Sequence, residues 1–361
     1  MHKLEIVIGT KAQLVKMAPI MRELEQQSIP YKFTLTGQHE NTINDLISSF
    51  QISTKPELFT TISERDTTNS VMKWFLSSMW KIAKEKKSPN KIVVSHGDTL
   101  STLLAAIYAK KIGAQFAHIE AGLRSFNIFN PFPEEIVRVL TSKLTTMHFA
   151  PGEWAANNIK SNSTSVINTK LNTIIDSLRY ALADKPEKTR NTNKSEYAVA
   201  SLHRFENLKN GDRLLFIIDH IEKVSELVPV KFVLHPVTVK ELKKRTLFER
   251  LEKNPRVELT ERMNYVKFTH LLYDSNFLIT DGGSNQEEAF YMGLPCLLMR
   301  SHTERTEGIN SNNMELSNYN PDTIMQFAHK YSKYNWYIKN LENVYPSKVI
   351  VENLKKVIDA F

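Results

Sequence analysis

Cysteine is almost missing from this chain of 361 residues, with Cys296 the single example. One thiol excludes an internal disulfide framework and a cysteine-based metal cluster. Long apolar runs are missing too. The longest candidate, residues 103–108, soon meets Lys110 and Lys111, far short of the ~20 residues a membrane span needs. The N-terminus enters a strand-like run at once, with no basic stretch leading into an apolar one, so neither a secretory signal nor membrane insertion is expected. These absences together favour the cytoplasm. The chain also lacks a Walker loop and the G-x-G-x-x-G spacing. His39, His96, His118, His203 and His235 have neither H-E-x-x-H spacing nor cysteine partners, which makes a metal site a poor fit.

What is present is an ordinary globular composition, 41% hydrophobic and 24% charged, in a chain long enough for two domains. The net charge of +8 raises the question of nucleic acid. Yet lysines such as Lys84, Lys86, Lys87, Lys91, Lys110 and Lys111 are scattered, without aromatic interleaving or a zipper, finger or RNA-binding signature. They read as a solvated surface that attracts anionic substrates, with no nucleic-acid partner.

Short apolar runs alternate with helical spacing. Strand patterns at 4–8, 31–36, 91–95, 115–119 and 147–149 are interleaved with helical ones at 14–24, 67–83 and 101–109. The stretch 183–195, rich in Lys, Asn, Thr and Glu, is the best linker. The alternation then restarts with strands at 197–200, 230–234, 277–280 and 295–299 and helices at 211–224, 239–247, 285–291, 321–328 and 346–361. Such order predicts an α/β protein with mostly parallel sheets covered on both faces.

In such sheets ligands gather beyond the carboxyl ends of the strands. Asp98 and Glu120 follow two successive strand patterns, and Glu134 and Glu135 open a helix after a proline-rich turn. Singly, each carboxylate also reads as a cap or as a partner for Arg124 or Arg138. Together they favour an acid–base cluster. In the second half, Asp281-Gly282-Gly283-Ser284 lies between a strand and a helix, where small residues let backbone amides face a phosphate, although paired glycines also serve a plain turn. His203-Arg204 and His235-Pro236 end two further strands. His302, Glu304, Arg305 and Glu307 make a polar loop suited to a sugar or phosphate.

Taken in order, these residues resemble the UDP-N-acetylglucosamine 2-epimerase family, in particular its non-hydrolysing bacterial branch. The resemblance runs through Gly9-Thr10 with Lys16-Met17-Ala18-Pro19, Thr36-Gly37-Gln38-His39 and Gly97-Asp98-Thr99. It continues through Glu120-Ala121-Gly122-Leu123-Arg124, Pro131-Phe132-Pro133-Glu134-Glu135 and Asn172-Thr173 with Ile175-Asp176. His203-Arg204 with Glu206-Asn207, Gln286-Glu287-Glu288 and Thr303-Glu304-Arg305 complete it. It implies two Rossmann-like domains facing across a cleft, as in B-type glycosyltransferases. They would comprise an N-terminal domain (1–182) with the catalytic carboxylates, a linker (183–195), a nucleotide-binding domain (196–345) and a C-terminal helix (346–361) packing back on the first domain.

The implied reaction converts UDP-N-acetylglucosamine to UDP-N-acetylmannosamine, by anti elimination of UDP to a 2-acetamidoglucal and re-addition of UDP. By position, Asp98, Glu120, Glu134 and His203 would be catalytic. Lys11, Lys16, Arg138, Arg204, His235 and Arg305 would hold the substrate, with the Gly282, Gly283 and Ser284 backbone on the phosphates and Glu288 on the ribose. Gln38, His39 and Glu40 fall in the region of an allosteric UDP-N-acetylglucosamine site. The scheme needs no cofactor and no metal, and the family suggests a homodimer in surface-polysaccharide synthesis. Departures stand out. Lys11 replaces an arginine, Glu40 replaces a cation, Leu171 replaces a glycine, Thr306 replaces a proline, and Ser284 follows Gly282-Gly283 where the family places serine first. Lysine keeps the charge but not the planar fork of donors. Alternatives are a hydrolysing 2-epimerase that releases free sugar and UDP, an epimerase on a related UDP-2-acetamido sugar, a glycosyltransferase of similar fold, and a non-catalytic nucleotide-sugar binding protein.

Overall fold

Local chemistry sets the first turn of the chain. β1 (Leu4–Ile8) is buried along its whole length, and Gly9-Thr10 then starts α1 (Lys11–Gln26). Thr10 caps that helix reciprocally with Gln13: its hydroxyl accepts from the Gln13 amide, and the Gln13 side chain accepts from the Thr10 amide. A computed structural model describes residues 2–36, 40–60, 68–128, 133–160, 164–186, 196–303, 308–309, 311–334, 336 and 343–361, without the side chains of 40–42 and 68–69.

The chain forms two compact units, one of residues 1–180 with 343–361 and one of residues 181–342. The first continues with β2 (Tyr31–Leu35), α2 (Glu40–Ser49), β3 (Pro56–Leu58), α3 (Thr68–Lys84), β4 (Ile92–His96), α4 (Leu100–Ile112) and β5 (Gln115–Ile119). Next come α5 (Glu134–Leu144), β6 (Met147–Ala150), α6 (Glu153–Asn157), β7 (Ser165–Asn168) and α7 (Ile174–Ala181). Its seven strands pair in parallel in the order β3-β2-β1-β4-β5-β6-β7.

The second unit holds β8 (Ala198–Ser201), α8 (Phe205–Leu208), α9 (Gly211–Leu227), β9 (Val230–Leu234), α10 (Pro236–Lys243), α11 (Leu247–Glu252) and β10 (Val257–Glu261). α12 (Tyr265–Tyr273), β11 (Leu278–Thr280), α13 (Gly283–Met292), β12 (Cys296–Leu298), β13 (Met314–Leu316) and α14 (Pro321–Tyr331) complete it. Its six strands run parallel in the order β10-β9-β8-β11-β12-β13. Each sheet therefore reverses direction of growth beside its first strand, at β1/β4 and at β8/β11. This is the Rossmann-like arrangement in which ligands bind beyond the strand ends at the switch point.

The last helix, α15 (Pro346–Asp359), belongs to the first unit. Asp176 of α7 accepts from the Ser347 amide (2.9 Å) and hydroxyl (2.6 Å), which caps the helix, while Arg179 donates to the Val344 carbonyl (2.6 Å). Ile350, Val351 and Leu354 are buried on its inner face. The helical spacing over 239–247 is broken in the structure. α10 stops at Lys243, Thr246 takes a left-handed backbone (φ 57°), and α11 starts at Leu247. Among the described residues no helix is long and apolar enough to cross a membrane.

Two features of the first sheet yield measurable expectations. Gly122 has φ +83°, and a Cβ there would lie 2.0 Å from the Ala155 carbonyl oxygen, which is backbone and cannot move aside. Gly113 has a similar φ of +76°, but its nearest neighbour would be Lys87 Cδ at 3.8 Å. Gly113→Ala should therefore cost about 1 kcal/mol in denaturant unfolding, and Gly122→Ala at least about 3 kcal/mol. Equal losses would refute the steric account. His148 of β6 is fully buried, and neither ring nitrogen has a hydrogen-bond partner among the described residues. Burial pushes its imidazole down to about 4. The unfolded chain, titrating near pH ~6.5, then binds more protons than the folded one, so stability should fall as pH drops from about 6.5 to about 4. His148→Leu should flatten that slope, as measured by urea midpoints across this range.

Candidate active site

In the first unit, the loops leaving β1, β4 and β5 are tied together by buried polar groups. Gln13 accepts from the Gly9 amide (2.8 Å) and donates to the His96 carbonyl (2.6 Å) and the Thr102 hydroxyl (2.9 Å). Gly9 admits no side chain, because a Cβ would fall 1.9 Å from Ser101 Oγ. One turn into α1, Lys16 points back to the end of β5, where its Nζ lies 2.5 Å from Glu120 Oε2. Both side chains are nearly fully buried. Asn172, just before α7, donates to the same oxygen, and His96 Nε2 lies 3.4 Å from it. Glu120 itself has a left-handed backbone (φ 64°), a conformation uncommon outside glycine and worth notice at a strand end.

A second carboxylate cluster adjoins it. Arg138 of α5 donates through Nε (2.9 Å) and Nη2 (2.5 Å) to Asp98 Oδ2. Glu135, fully buried, accepts from Arg124 Nε (2.6 Å) and the Ser125 amide (2.9 Å), and lies 3.5 Å from Arg138. Burial works to raise the Glu135 carboxyl, but the Ser125 amide and the arginines outweigh it and hold it below the usual carboxylate range. Glu135 is thus the strut that orients Arg124 and Arg138. Its neighbour Glu134 is half-buried at the head of α5, and its Oε2 is shielded without a hydrogen-bond partner among the described residues. Asp98, His118, Glu120, Arg124 and Arg138 line one pocket.

The second unit centres on Asp281, fully buried after β11. Its carboxylate accepts from the amides of His203 (2.9 Å) and Arg204 (3.0 Å) and from Asn207 Nδ2 (3.0 Å). It thereby joins the loop after β8 to the start of α13. Gly282 opens that helix with no side-chain cap, which leaves the Gly283 and Ser284 amides at the positive end of the helix dipole. A Cβ at Gly282 would meet His203 Cε1 at 2.7 Å, so the glycine lets the imidazole lie against the loop. His203 packs on His235 with ring centroids 4.6 Å apart. Burial pushes His203 below its ordinary range, Asp281 opposes this and Arg204 adds to it. Glu288 is buried on α13 and accepts from Asn285 Nδ2 at 3.1 Å.

Within the first unit, the structure brings Lys16 to Glu120 and Arg138 to Asp98. Lys11 opens α1. Within the second, it gathers His203, Arg204, Gly282, Gly283 and Ser284 around Asp281. Gln38, His39 and Arg305 lie outside the described residues, and Glu40 is described only as the first residue of α2. Glu135 pairs with Arg124 and Arg138, a partnership the sequence offered for these carboxylates, whereas Gln13, His96, His118 and Asp281 carry contacts to which sequence reasoning gave no role. The Thr10-x-x-Gln13 capping box was a readable signal for Gln13; the others required the register of the strands. No group of three or more His, Cys, Asp or Glu that could hold a metal occurs among the described residues.

Residues 22–357 match the family model described as UDP-N-acetylglucosamine 2-epimerase. The UDP-N-acetylglucosamine 2-epimerase of Methanocaldococcus jannaschii is 34% identical over 322 residues, 85% of this chain and 86% of that protein. The solved structure of the UDP-GlcNAc 2-epimerase of that organism in complex with UDP-GlcNAc and UDP superposes with a TM-score of 0.81 at 30% identity, covering 98% of this chain and 99% of that one. The UDP-2,3-diacetamido-2,3-dideoxy-D-glucuronate 2-epimerase of Pseudomonas aeruginosa is 31% identical over 312 residues, 84% of this chain and 85% of that protein. This chain belongs to the UDP-N-acetylglucosamine 2-epimerase family.

Proposed function

We propose that this enzyme inverts C2 of UDP-N-acetylglucosamine to give UDP-N-acetylmannosamine, without net hydrolysis. The observation that carries the reading is the pair of carboxylates Asp98 and Glu120, just past the ends of the adjacent strands β4 and β5, with Glu134 at the head of α5, in a chain of this family. One carboxylate takes the C2 proton as the C1–oxygen bond to UDP breaks, which leaves a glycal with a C1–C2 double bond. UDP then adds back at C1 while a second carboxyl returns a proton to the opposite face of C2. Both Arg138 contacts fall on Asp98 Oδ2, which leaves Oδ1 to the sugar. Lys16 and Asn172 fix Glu120 through Oε2. Glu134 offers a shielded oxygen that no described residue engages.

In this reading the second unit holds the nucleotide. The Gly282, Gly283 and Ser284 backbone takes the phosphates, and His203, Arg204, His235 and Arg305 act at the diphosphate. Glu288 takes the ribose. The serine placed after the glycines and the point charge of Lys11 mark it as a divergent member of the non-hydrolysing branch. With an anion at Glu40 beside Gln38 and His39, the rate should rise hyperbolically with substrate, without activation by a second nucleotide sugar. We also place it in the cytoplasm, as a homodimer supplying polysaccharide synthesis. A second reading, epimerisation of a UDP-2-acetamido sugar with other substituents, is favoured by the relative named for a 2,3-diacetamido uronate.

Incubation with UDP-N-acetylglucosamine in deuterated water, followed by NMR, tests the proposal. The expected product is UDP-N-acetylmannosamine carrying deuterium at C2, with UDP conserved. Free sugar plus UDP would instead mean hydrolysis, and unlabelled, unchanged substrate would exclude this sugar. Glu120→Gln should abolish exchange while UDP affinity stays within about tenfold, roughly 1.4 kcal/mol. Exchange that survives a large loss of affinity would overturn the role of Glu120.

A further inference from the structure

We propose that His118 is a positioning residue for this reaction, clamping the Gly97–Asp98 peptide so that Asp98 and Glu120 keep a fixed spacing. The inference rests on the functional reading above and assigns a role to a residue that reading does not use.

Gly97 is the only residue between β4 and Asp98. Its amide donates to the Ile119 carbonyl (2.9 Å), and its carbonyl accepts from His118 Nε2 (2.8 Å). Both polar groups of Gly97 are therefore held by consecutive residues of β5, immediately ahead of Glu120. The frame is needed because the backbone here is unusual on both sides, with φ +71° at Gly97 and 64° at Glu120. Glycine has no side chain to limit rotation of the following peptide. Arg138 also pulls on Asp98 from α5, through a contact of 2.5 Å. Without a donor on the Gly97 carbonyl, that peptide is free to turn and Asp98 to follow the guanidinium.

His118 is suited to this work and to little else. Its side chain is buried yet lines the pocket shared by Asp98, Glu120 and Arg138. It lies in register between Ser95 of β4 and His148 of β6 and stacks on Phe116, so the ring cannot swing. A carbonyl can only accept, so Nε2 must carry the hydrogen. Burial pushes the imidazole down to about 4. The ring thus remains a neutral, fixed donor throughout the neutral range, and takes no proton from the substrate itself.

A core histidine of no consequence and a clamp predict different kinetics. His118→Phe keeps the ring and removes the donor. It should lower kcat on UDP-N-acetylglucosamine by about thirtyfold or more, with KM within about threefold, since the substrate contacts stay. His118→Gln can place an amide N–H on the same carbonyl and should recover at least about tenfold of that loss. Thermal unfolding of each variant separates folding from positioning. If His118→Phe does not fold, His118→Gln alone decides: a kcat near wild type supports the clamp, and a thirtyfold loss overturns it. Wild-type kcat in His118→Phe, or equal losses in both variants, overturns the clamp while leaving the proposed reaction intact. An inactive wild-type enzyme in the same assay would remove the functional reading and this inference with it.

Discussion

A carboxylate withdrawn from water at the end of β5 needs an opposite charge, and Lys16 supplies it from the second turn of α1. Taking either ion out of water costs several kcal/mol, which their attraction offsets only when geometry is tight and further hydrogen bonds complete the site. Asn172 provides one such bond and the approach of His96 adds polar company. The consequence is structural as much as chemical. α1, β4, β5 and the turn before α7 must arrive together for the pair to be satisfied. Gly9 and Gln13 make that possible, the one by its lack of a side chain and the other by bridging the first two loops. Removing one partner of such a pair would leave an uncompensated buried charge, a loss of about 3–5 kcal/mol.

The same logic recurs in the second unit with a different partner. Asp281 is fully buried, and its neighbours at hydrogen-bond distance are two backbone amides and an amide side chain. Those donors come from the loop after β8 and the short helix α8 that follows it, so the charge of Asp281 fixes His203 and Arg204 at the switch point. Asn207, in turn, donates to the Met299 carbonyl (3.0 Å) and accepts from Tyr319 (2.8 Å). The His-Arg-x-Glu-Asn run thus divides its labour. Its first residues face the strand end, and its last holds the loops together.

What could be read in the sequence follows from burial. Inner strands such as β1, β4, β8 and β9 are apolar because both faces are covered, and their runs stand out. The strands that escaped notice are β3, β7, β10 and β13, the edges of the two sheets. Their residues are largely exposed or half-exposed, and Glu57, Ser165, Glu258 and Glu315 break any apolar run. The site was legible to the same extent. Asp98 and Glu120 follow inner strands, so their position was visible. Which of Glu134 and Glu135 is the strut was not, because helix rotation relative to Arg124 and Arg138 decides it. Nor was His118 separable from any other buried histidine, since its meaning lies in the carbonyl it meets on the neighbouring strand.

The capping of α15 by Asp176 has a consequence for the order of events during synthesis. The second unit is one continuous stretch, 181–342, whereas the first is assembled from residues 1–180 and 343–361. A ribosome therefore completes the later unit before the earlier one. Until residues near Ser347 emerge, Asp176 lacks the amide and hydroxyl it accepts from, and the surface that covers Ile350, Val351 and Leu354 stays bare. The half of the protein made first is the half that must wait longest to finish folding, and the last turns of the chain decide when it does.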